Sequence, residues 1–102
     1  MPADARGRWI AEIPELGGRW QFDVAQKFQE LDVDARAGSA QMVVSRARLR
    51  GEDLRMAVTG LVGGKAYNLL FSGRISGRSI EGDVRVSDGE NVRKFPWKAN
   101  HR

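Results

Sequence analysis

Three arginines at alternate positions, Arg46, Arg48 and Arg50, are the side chains of this sequence best suited to binding chemistry. On a β-strand, alternate side chains stand on one face about 6.6 Å apart. The Gly51-Glu52 pair that follows is typical of a two-residue hairpin turn, which would place Arg55 directly opposite Arg48. Like charges in that position destabilise a sheet unless an anion lies between them. The pattern predicts an anion or partner patch formed by these four arginines, unless the acidic residues of the turn neutralise it.

The same arginines raise nucleic-acid binding as an alternative, because the chain carries a net charge of +4. Aromatic side chains interleaved with the arginines would support single-strand binding by stacking on bases, and this segment contains none. Thirteen acidic residues are distributed among seventeen basic ones, so no long block of one sign exists. The sequence therefore argues against nucleic acid as the partner. Binding of nucleic acid that weakens steeply with added salt would support this alternative.

Residues suited to catalysis or metal binding are scarce in this chain. It has no cysteine and one histidine, His101, next to the C-terminus, where a fixed hydrogen-bond partner for catalysis is not expected. Residues 60–65 are similar to a phosphate-binding loop but are one residue too short. Residues 32–38 are similar to a calcium loop, but Arg36 stands where an oxygen ligand is needed. We therefore expect no catalytic, cofactor-binding or metal-binding residue in this chain.

Apolar residues alternate with polar ones through most of the chain, between turns that contain glycine. Two-residue turns at Gly51-Glu52 and Gly77-Arg78 place apolar residues opposite apolar residues in each hairpin. A further turn at Asp88-Gly89 would pair Ile80 with Trp97 and would place Phe95 over Gly82. Because turns chosen by their own chemistry agree on which residues face inward, the sequence predicts consecutive antiparallel hairpins.

The strand after the Gly17-Gly18 break shows a change of parity. Before Glu30 the apolar face consists of Trp20, Phe22, Val24 and Phe28, and after it of Leu31, Val33 and Ala35. A one-residue slip of this kind predicts a β-bulge, and a second bulge is expected near Ser45. Gln26 falls on the aromatic face, so it needs an internal partner unless that end of the sheet is open to solvent.

These patterns predict an all-β fold: an antiparallel up-and-down meander of about eight strands, closed or nearly closed into a barrel of the lipocalin or streptavidin type. Trp9 and Trp97 mark the seam between the first and last strands, and Pro96 indicates that pairing there is incomplete. The 102 residues suffice for one domain. Because no apolar run of about 20 residues and no secretory signal is present, we expect no membrane association and a cytoplasmic location.

Short motifs along the whole chain support a family resemblance. They are the opening Gly7-Arg8-Trp9, the stretches Gln26-Lys27-Phe28-Gln29 and Ala47-Arg48-Leu49-Arg50-Gly51, and the closing pattern Phe71-x-Gly73-x-Ile75-x-Gly77, Ile80-x-Gly82 and Trp97-Lys98-Ala99. Together they resemble a small β-domain that is appended to the C-terminus of certain bacterial S-adenosylmethionine-dependent methyltransferases. The resemblance covers essentially all 102 residues.

In that family, methyl transfer belongs to an upstream Rossmann-like domain with a glycine-rich cofactor loop, and this chain contains neither. The resemblance implies that residues 1–102 are one β-barrel domain of a larger protein, joined to it at Pro2-Ala3. It implies a non-catalytic accessory role, in which the barrel packs on the methyltransferase catalytic domain or positions substrate or partners for it. S-adenosylmethionine would then bind to the parent protein and no cofactor to this domain. Association into a homo-oligomer stays open.

A free-standing lipocalin-like barrel that binds a small ligand is the alternative function. An eight-stranded barrel can hold one small ligand. The three tryptophans could line its cavity together with Tyr67, Phe22 and Phe28. An interior void of a few hundred Å³, or tryptophan fluorescence that shifts when a fatty acid is added, would favour this alternative.

Overall fold

Alternating apolar residues and short turns fold this chain into nine β-strands in a computed structural model that describes residues 3–102. No α-helix occurs among these residues, and a single 3-10 turn, Pro14–Leu16, follows the first strand. The strands are β1 (Gly7–Ile13), β2 (Gly18–Lys27), β3 (Glu30–Ala37), β4 (Ala40–Gln41), β5 (Val43–Arg50), β6 (Asp53–Val62), β7 (Lys65–Ser76), β8 (Ser79–Ser87) and β9 (Val92–His101).

Pairing between neighbouring strands closes the sheet into a barrel. Eight strands follow one another in the order β2-β1-β9-β8-β7-β6-β5-β3, and β2 pairs with β3 to complete the circle. Every pair is antiparallel, and the two-residue β4 is an additional strand paired with β3. A closed antiparallel barrel leaves few unpaired strand edges, which protects the sheet against edge-to-edge aggregation. The predicted fold class is confirmed.

Two of the ladders that close the barrel are short. Residues 9–11 of β1 pair with residues 99–101 of β9, and the predicted seam is present, although Trp9 lies opposite His101 rather than Trp97. Pro96 lies on the part of β9 that β1 does not reach. On the other side, β3 meets β5 where Glu30 lies opposite Arg48. Closure therefore depends on a few hydrogen bonds and on the packed interior.

The inward-facing side chains fill the barrel. Four aromatic rings pack against one another with centroid separations between 5.1 and 6.0 Å: Trp20, Phe22, Phe71 and Trp97. Leu49 and Ile80, also predicted to face inward, are buried as well. No polar or charged residue of the described chain is buried. Burial of apolar surface is thus the main force that stabilises this barrel.

Two of the three hairpins predicted from turn chemistry, those at Gly51-Glu52 and Gly77-Arg78, have the predicted registers. In β5 and β6, Arg48 lies opposite Arg55 and Leu49 opposite Leu54, on either side of the Gly51-Glu52 turn. The Gly77-Arg78 turn sets Ile75 opposite Ile80. The predicted bulge near Ser45 is confirmed by a shift of register between Val44 and Arg46.

The parity change near Glu30 is a hairpin turn, and the predicted β-bulge there is wrong. Lys27 at the end of β2 pairs with Glu30 at the start of β3, so Phe28 and Gln29 form a two-residue turn. Phe28 is 83% exposed, with a positive φ of 58°, and does not share the face of Trp20. Sequence rules missed this turn because it contains none of the glycine, asparagine or aspartate residues that normally accept a positive φ.

The predicted register of the last hairpin is wrong by two residues. Its connection is a four-residue loop closed by Ser87 opposite Val92, not a two-residue turn at Asp88-Gly89. Asp88 organises this loop, because its Oδ1 accepts hydrogen bonds from the amides of Glu90 at 3.0 Å and Asn91 at 2.7 Å. An aspartate that binds nearby amides in this way extends a turn.

The shift leaves the inward face unchanged, because side chains alternate with a period of two. Trp97, rather than Phe95, now lies opposite Gly82, and its Nε1 donates to the Ser72 carbonyl at 2.9 Å. Gly82 itself lies opposite Gly73. A Cβ on Gly82 would overlap the Ser72 carbonyl oxygen and lie 2.5 Å from the Gly73 Cα. β7 and β8 therefore approach too closely here for any larger residue.

The internal partner of Gln26 is the N-terminal segment. Its Oε1 accepts from the Ala5 amide at 2.8 Å, and its Nε2 donates to the Ala3 carbonyl at 3.2 Å. The Ala5 carbonyl in turn accepts from Trp9 Nε1 at 2.9 Å. These bonds hold the segment before β1 against one end of the barrel. Pro2, half of the predicted junction with another domain, lies outside the described residues.

Candidate functional site

The predicted arginine patch is present on the outer surface of β5 and β6. Ala47 and Leu49 point into the barrel, so the side chains of Arg46, Arg48 and Arg50 point outward. Arg55 lies opposite Arg48 across the turn, which brings all four predicted residues together. Cross-strand neighbours of this kind have Cβ atoms about 5 Å apart. Two like charges in this arrangement oppose the pairing of the strands.

Strand registers extend this patch to β8 and β9. One row of outward-facing residues crosses five strands in the order Arg46, Ala57, Leu70, Arg85 and Lys94. The next row runs Arg48, Arg55, Ser72, Asp83 and Pro96. The cationic side chains of these two rows, together with Arg50, form a surface that we call the basic face. Its residues are Arg46, Arg48, Arg50, Arg55, Arg85 and Lys94.

The acidic residues of the turn do not neutralise the basic face. Glu52 pairs with Arg74, whose Nε lies 2.8 Å from Glu52 Oε2, and this contact raises the pKa of Arg74. Asp83 lies 3.8 Å from the Lys94 ammonium. Within residues 3–102, the five arginines of the basic face take part in no ion pair. Asp53 lies opposite Arg50, and Glu30 of β3 lies opposite Arg48, but neither carboxylate forms an ion pair with the basic face.

A shallow trough of about 770 Å³ runs over the basic face. Long arginine side chains border it, while Ala57, Leu70 and Ser72 are among its lining residues between the cations. Leu70 is 55% exposed and is one of five large apolar side chains exposed on the described chain. Phe71 also borders the trough but is only 1% exposed. The trough thus offers cations at its sides and an accessible apolar contact between them.

The outer surface of β1, β2 and β3 has the opposite character. A second trough of about 670 Å³ is lined there by three aspartates, Asp23, Asp32 and Asp34, together with Arg8. Arg8 Nε donates to Asp23 Oδ1 at 2.8 Å, and this hydrogen bond lowers the pKa of Asp23. Charges on this side of the barrel are therefore mixed and partly paired.

The residues considered for catalysis, phosphate binding and calcium binding lie in separate parts of the barrel. His101 is held after all, because its Nε2 lies 2.8 Å from the Arg6 carbonyl and its ring meets Trp9 edge-on at 4.9 Å. Residues 60–65 form the end of β6, a turn and the start of β7. Asp32 lies in β3, and no group of three or more potential metal-ligating side chains occurs in the described part of the chain.

Most of the residues proposed to line a ligand cavity pack in the barrel interior. Trp20, Phe22 and Trp97 pack on one another or on Phe71, and Trp9 is buried. Tyr67 is partly buried against this core, whereas Phe28 is exposed outside the barrel. The four buried side chains therefore belong to a packed core.

Sequence reasoning missed Arg85, Lys94 and Leu70 as parts of the site. Arg85 and Leu70 could have been found, because the correct Gly77-Arg78 turn pairs them directly. Lys94 could not, because its position opposite Arg85 depends on the four-residue loop at Asp88.

Comparison with known proteins gave no match to a protein-family model, to a curated protein or to a solved structure. Across residues 3–102, no helix has the length and apolar character needed to cross a bilayer.

Proposed function

We propose that this chain is a non-catalytic accessory β-domain of an S-adenosylmethionine-dependent methyltransferase. It packs on the catalytic domain, or positions substrate or partners for it. The observation that carries this proposal is the division of the barrel into a packed interior and a charged exterior. Since apolar side chains fill the interior, the groups able to meet another molecule lie outside, and the unpaired arginines of the basic face are the strongest of these.

The family resemblance supplies the biological setting of this role. Gly-x-Ile-x-Gly around Ile75, the opening Gly-x-Trp and the closing Trp-x-Ala match the appended β-domain. The methyl donor belongs to the catalytic domain of the parent protein. This barrel then contributes a rigid surface that holds the catalytic domain, its substrate or another partner in place.

Titration of the purified barrel with S-adenosylmethionine, followed by calorimetry, tests the non-catalytic part of the proposal. We expect no heat of binding for the barrel and saturable binding for the parent protein. The coding sequence upstream of the Met1 codon tests the setting. An open reading frame that continues into a domain with a glycine-rich cofactor loop is expected, and a gene that encodes only these residues contradicts the proposal.

A fatty-acid titration separates this proposal from the lipocalin-like alternative. With the interior packed, tryptophan emission should not shift on addition of the fatty acid. A saturable shift that is lost in a Phe22→Trp variant, where added volume fills any remaining space, would instead support ligand binding inside the barrel.

A further inference from the structure

The basic face carries cationic charge that folding does not require. Arg48 and Arg55 lie opposite each other, an arrangement that opposes folding of the sheet. Elsewhere on the surface some cations lie beside carboxylates, as Lys65 does beside Asp88 at 2.9 Å, and others form no ion pair within the described chain. Glu30 of β3 lies opposite Arg48, but no carboxylate among residues 3–102 is within ion-pair distance of Arg48 or Arg55. An anionic partner is the physical agent that would compensate this repulsion.

The spacing of the cations favours an extended occupant over a single small anion. Arg46 and Arg85 lie on the same row but three strands apart, which is about 14 Å along the sheet. Lys94 extends the row by one more strand. One phosphate or carboxylate group can be bound by Arg48 and Arg55 alone, whereas contact with the whole basic face requires several negative charges. An extended surface or segment with several negative charges is therefore the occupant that uses all of these cations.

The composition of the trough favours a protein over a nucleic acid. Leu70, 55% exposed between Ala57 and Arg85, offers contact to an apolar side chain. The one aromatic residue that borders the trough is buried and offers no platform for stacking bases. Asp53 and Asp83 also border the trough, so the continuous charge of a phosphate backbone fits it less well than separate carboxylates placed opposite the arginines. Arginine, the main cation here, binds carboxylates through two parallel hydrogen bonds and is enriched at protein interfaces.

We infer that the basic face is the docking site for an acidic protein surface with an apolar side chain at its centre. This inference rests on the accessory role proposed above and names the chemistry of the partner. Carboxylates of the partner contact Arg48 and Arg55 and relieve their repulsion. Arg46 and Arg85 bind further carboxylates on either side, and the apolar side chain lies on Leu70.

A fluorescein-labelled peptide of glutamates with one central leucine serves as the probe, and fluorescence anisotropy measures its binding. We expect saturable binding to the barrel at low salt that weakens as NaCl is added. The double variant Arg48→Gln and Arg55→Gln should bind about tenfold more weakly. The matched control is Arg19→Gln with Arg36→Gln, which removes the same charge from β2 and β3 and should stay within about twofold of the unchanged barrel.

A second variant tests the apolar contact without changing charge. Leu70→Ser should weaken binding of the leucine peptide about threefold to tenfold and leave binding of a peptide with central serine unchanged. Circular dichroism melts confirm that each variant is folded.

Three results would overturn the inference. They are the absence of saturable peptide binding, an equal loss in the Arg19 and Arg36 control, and tighter binding of a duplex oligonucleotide than of the peptide. The last result would identify a nucleic-acid interface. None of them alters the S-adenosylmethionine titration, so failure of the docking site is distinguishable from failure of the proposed accessory role.

Discussion

The interior of the barrel and its basic face are built from alternate residues of the same strands, yet they follow opposite physical rules. Leu49 and Phe71 point inward and are fully packed, while their neighbours Arg48 and Leu70 point outward into a region of repelling cations and accessible leucine. Inside, every side chain has a contact that stabilises the fold. Outside, the arginines of the basic face form no ion pair within residues 3–102, and Arg48 lies opposite another cation, Arg55.

The basic face also differs from the parts of the exterior where cations are paired with carboxylates. Arg8 with Asp23 and Lys98 with Glu81 are ordinary surface pairs, at 2.8 and 3.3 Å. Such pairs contribute little to stability, but they keep the charge locally balanced. The row from Arg46 to Lys94 has no such balance apart from the Lys94 contact with Asp83.

The largest change in stability is expected from a comparison of two adjacent residues of β7, one facing the interior and one facing outward. Phe71→Ala removes a ring in contact with Trp20, Phe22 and Trp97, and should lower the free energy of unfolding by about 3–5 kcal/mol. Leu70→Ala on the outer side should stay within about 0.5 kcal/mol of the unchanged protein. Urea unfolding monitored by tryptophan fluorescence measures both. Equal losses at the two positions would remove the distinction between interior and exterior.

The next effect concerns the close approach of β7 and β8. Gly82→Ala places a methyl group against the Ser72 carbonyl and the Gly73 backbone, which cannot move aside, so a loss of about 3 kcal/mol is expected. Gly60→Ala is the matched control. Its new methyl group meets the flexible end of Met42, with the Met42 Cα at an ordinary contact distance of 3.4 Å, and stability should stay within about 1 kcal/mol. If thermal melts show that Gly60→Ala is less stable than Gly82→Ala, β7 and β8 can move apart at Gly82 at little cost.

A smaller effect with the opposite sign is expected on the basic face. Arg48→Gln removes a like-charge contact with Arg55 and should raise the free energy of unfolding by roughly 0.5 kcal/mol. Added salt should also raise the free energy of unfolding of the unchanged barrel, because it screens the repulsion between Arg48 and Arg55. Arg8→Gln, which loses a pair with Asp23, should instead lower stability by about 0.5 kcal/mol or less. A destabilised Arg48→Gln variant would mean that the arginine is satisfied within the fold.

The smallest effect is pH-dependent and lies in the loop after β8. The amide of Asn91, the Lys65 ammonium and the amide of Glu90 hold the pKa of the Asp88 carboxyl well below its usual range. A carboxyl whose pKa is lower in the folded state contributes stability above about pH 4 and loses it as the pH falls through the folded pKa.

Asp88→Asn retains an oxygen that can accept the two amide hydrogen bonds but removes the charge beside Lys65. The unchanged protein should therefore be slightly more stable than this variant at pH 7, and the difference should shrink below about pH 4. Urea midpoints between pH 7 and pH 2 measure this difference. A difference that grows on acidification would contradict the assignment.

Turn chemistry explains which parts of this fold could be predicted from the sequence. Gly51-Glu52 and Gly77-Arg78 have the residues that two-residue turns demand, and both registers are confirmed. Phe28-Gln29 has none of them, so its hairpin was mistaken for a bulge. At Asp88-Gly89 the sequence predicts a two-residue turn, whereas the structure has a four-residue loop. Asp-Gly is compatible with both connections. The longer one forms because the Asp88 side chain accepts hydrogen bonds from the amides of Glu90 and Asn91.

Four of the six cations of the basic face could be predicted from the sequence. Arg46, Arg48, Arg50 and Arg55 share one hairpin, and their relation follows from a single turn. Arg85 and Lys94 join them only because three further strands are paired in fixed register. Each additional strand multiplies the registers that a sequence allows, so a surface that spans five strands cannot be assembled from local rules.

By itself, the sequence determined the strands, their inward faces and four of the six cations of the basic face, since period-two patterning and glycine turns are local properties of the chain. The tertiary structure decided that the sheet closes, that aromatic rings fill its interior, and that no carboxylate among residues 3–102 pairs with the five arginines. These features arise from contacts between residues far apart in the chain, whose geometry is settled only when all strands pack around one core.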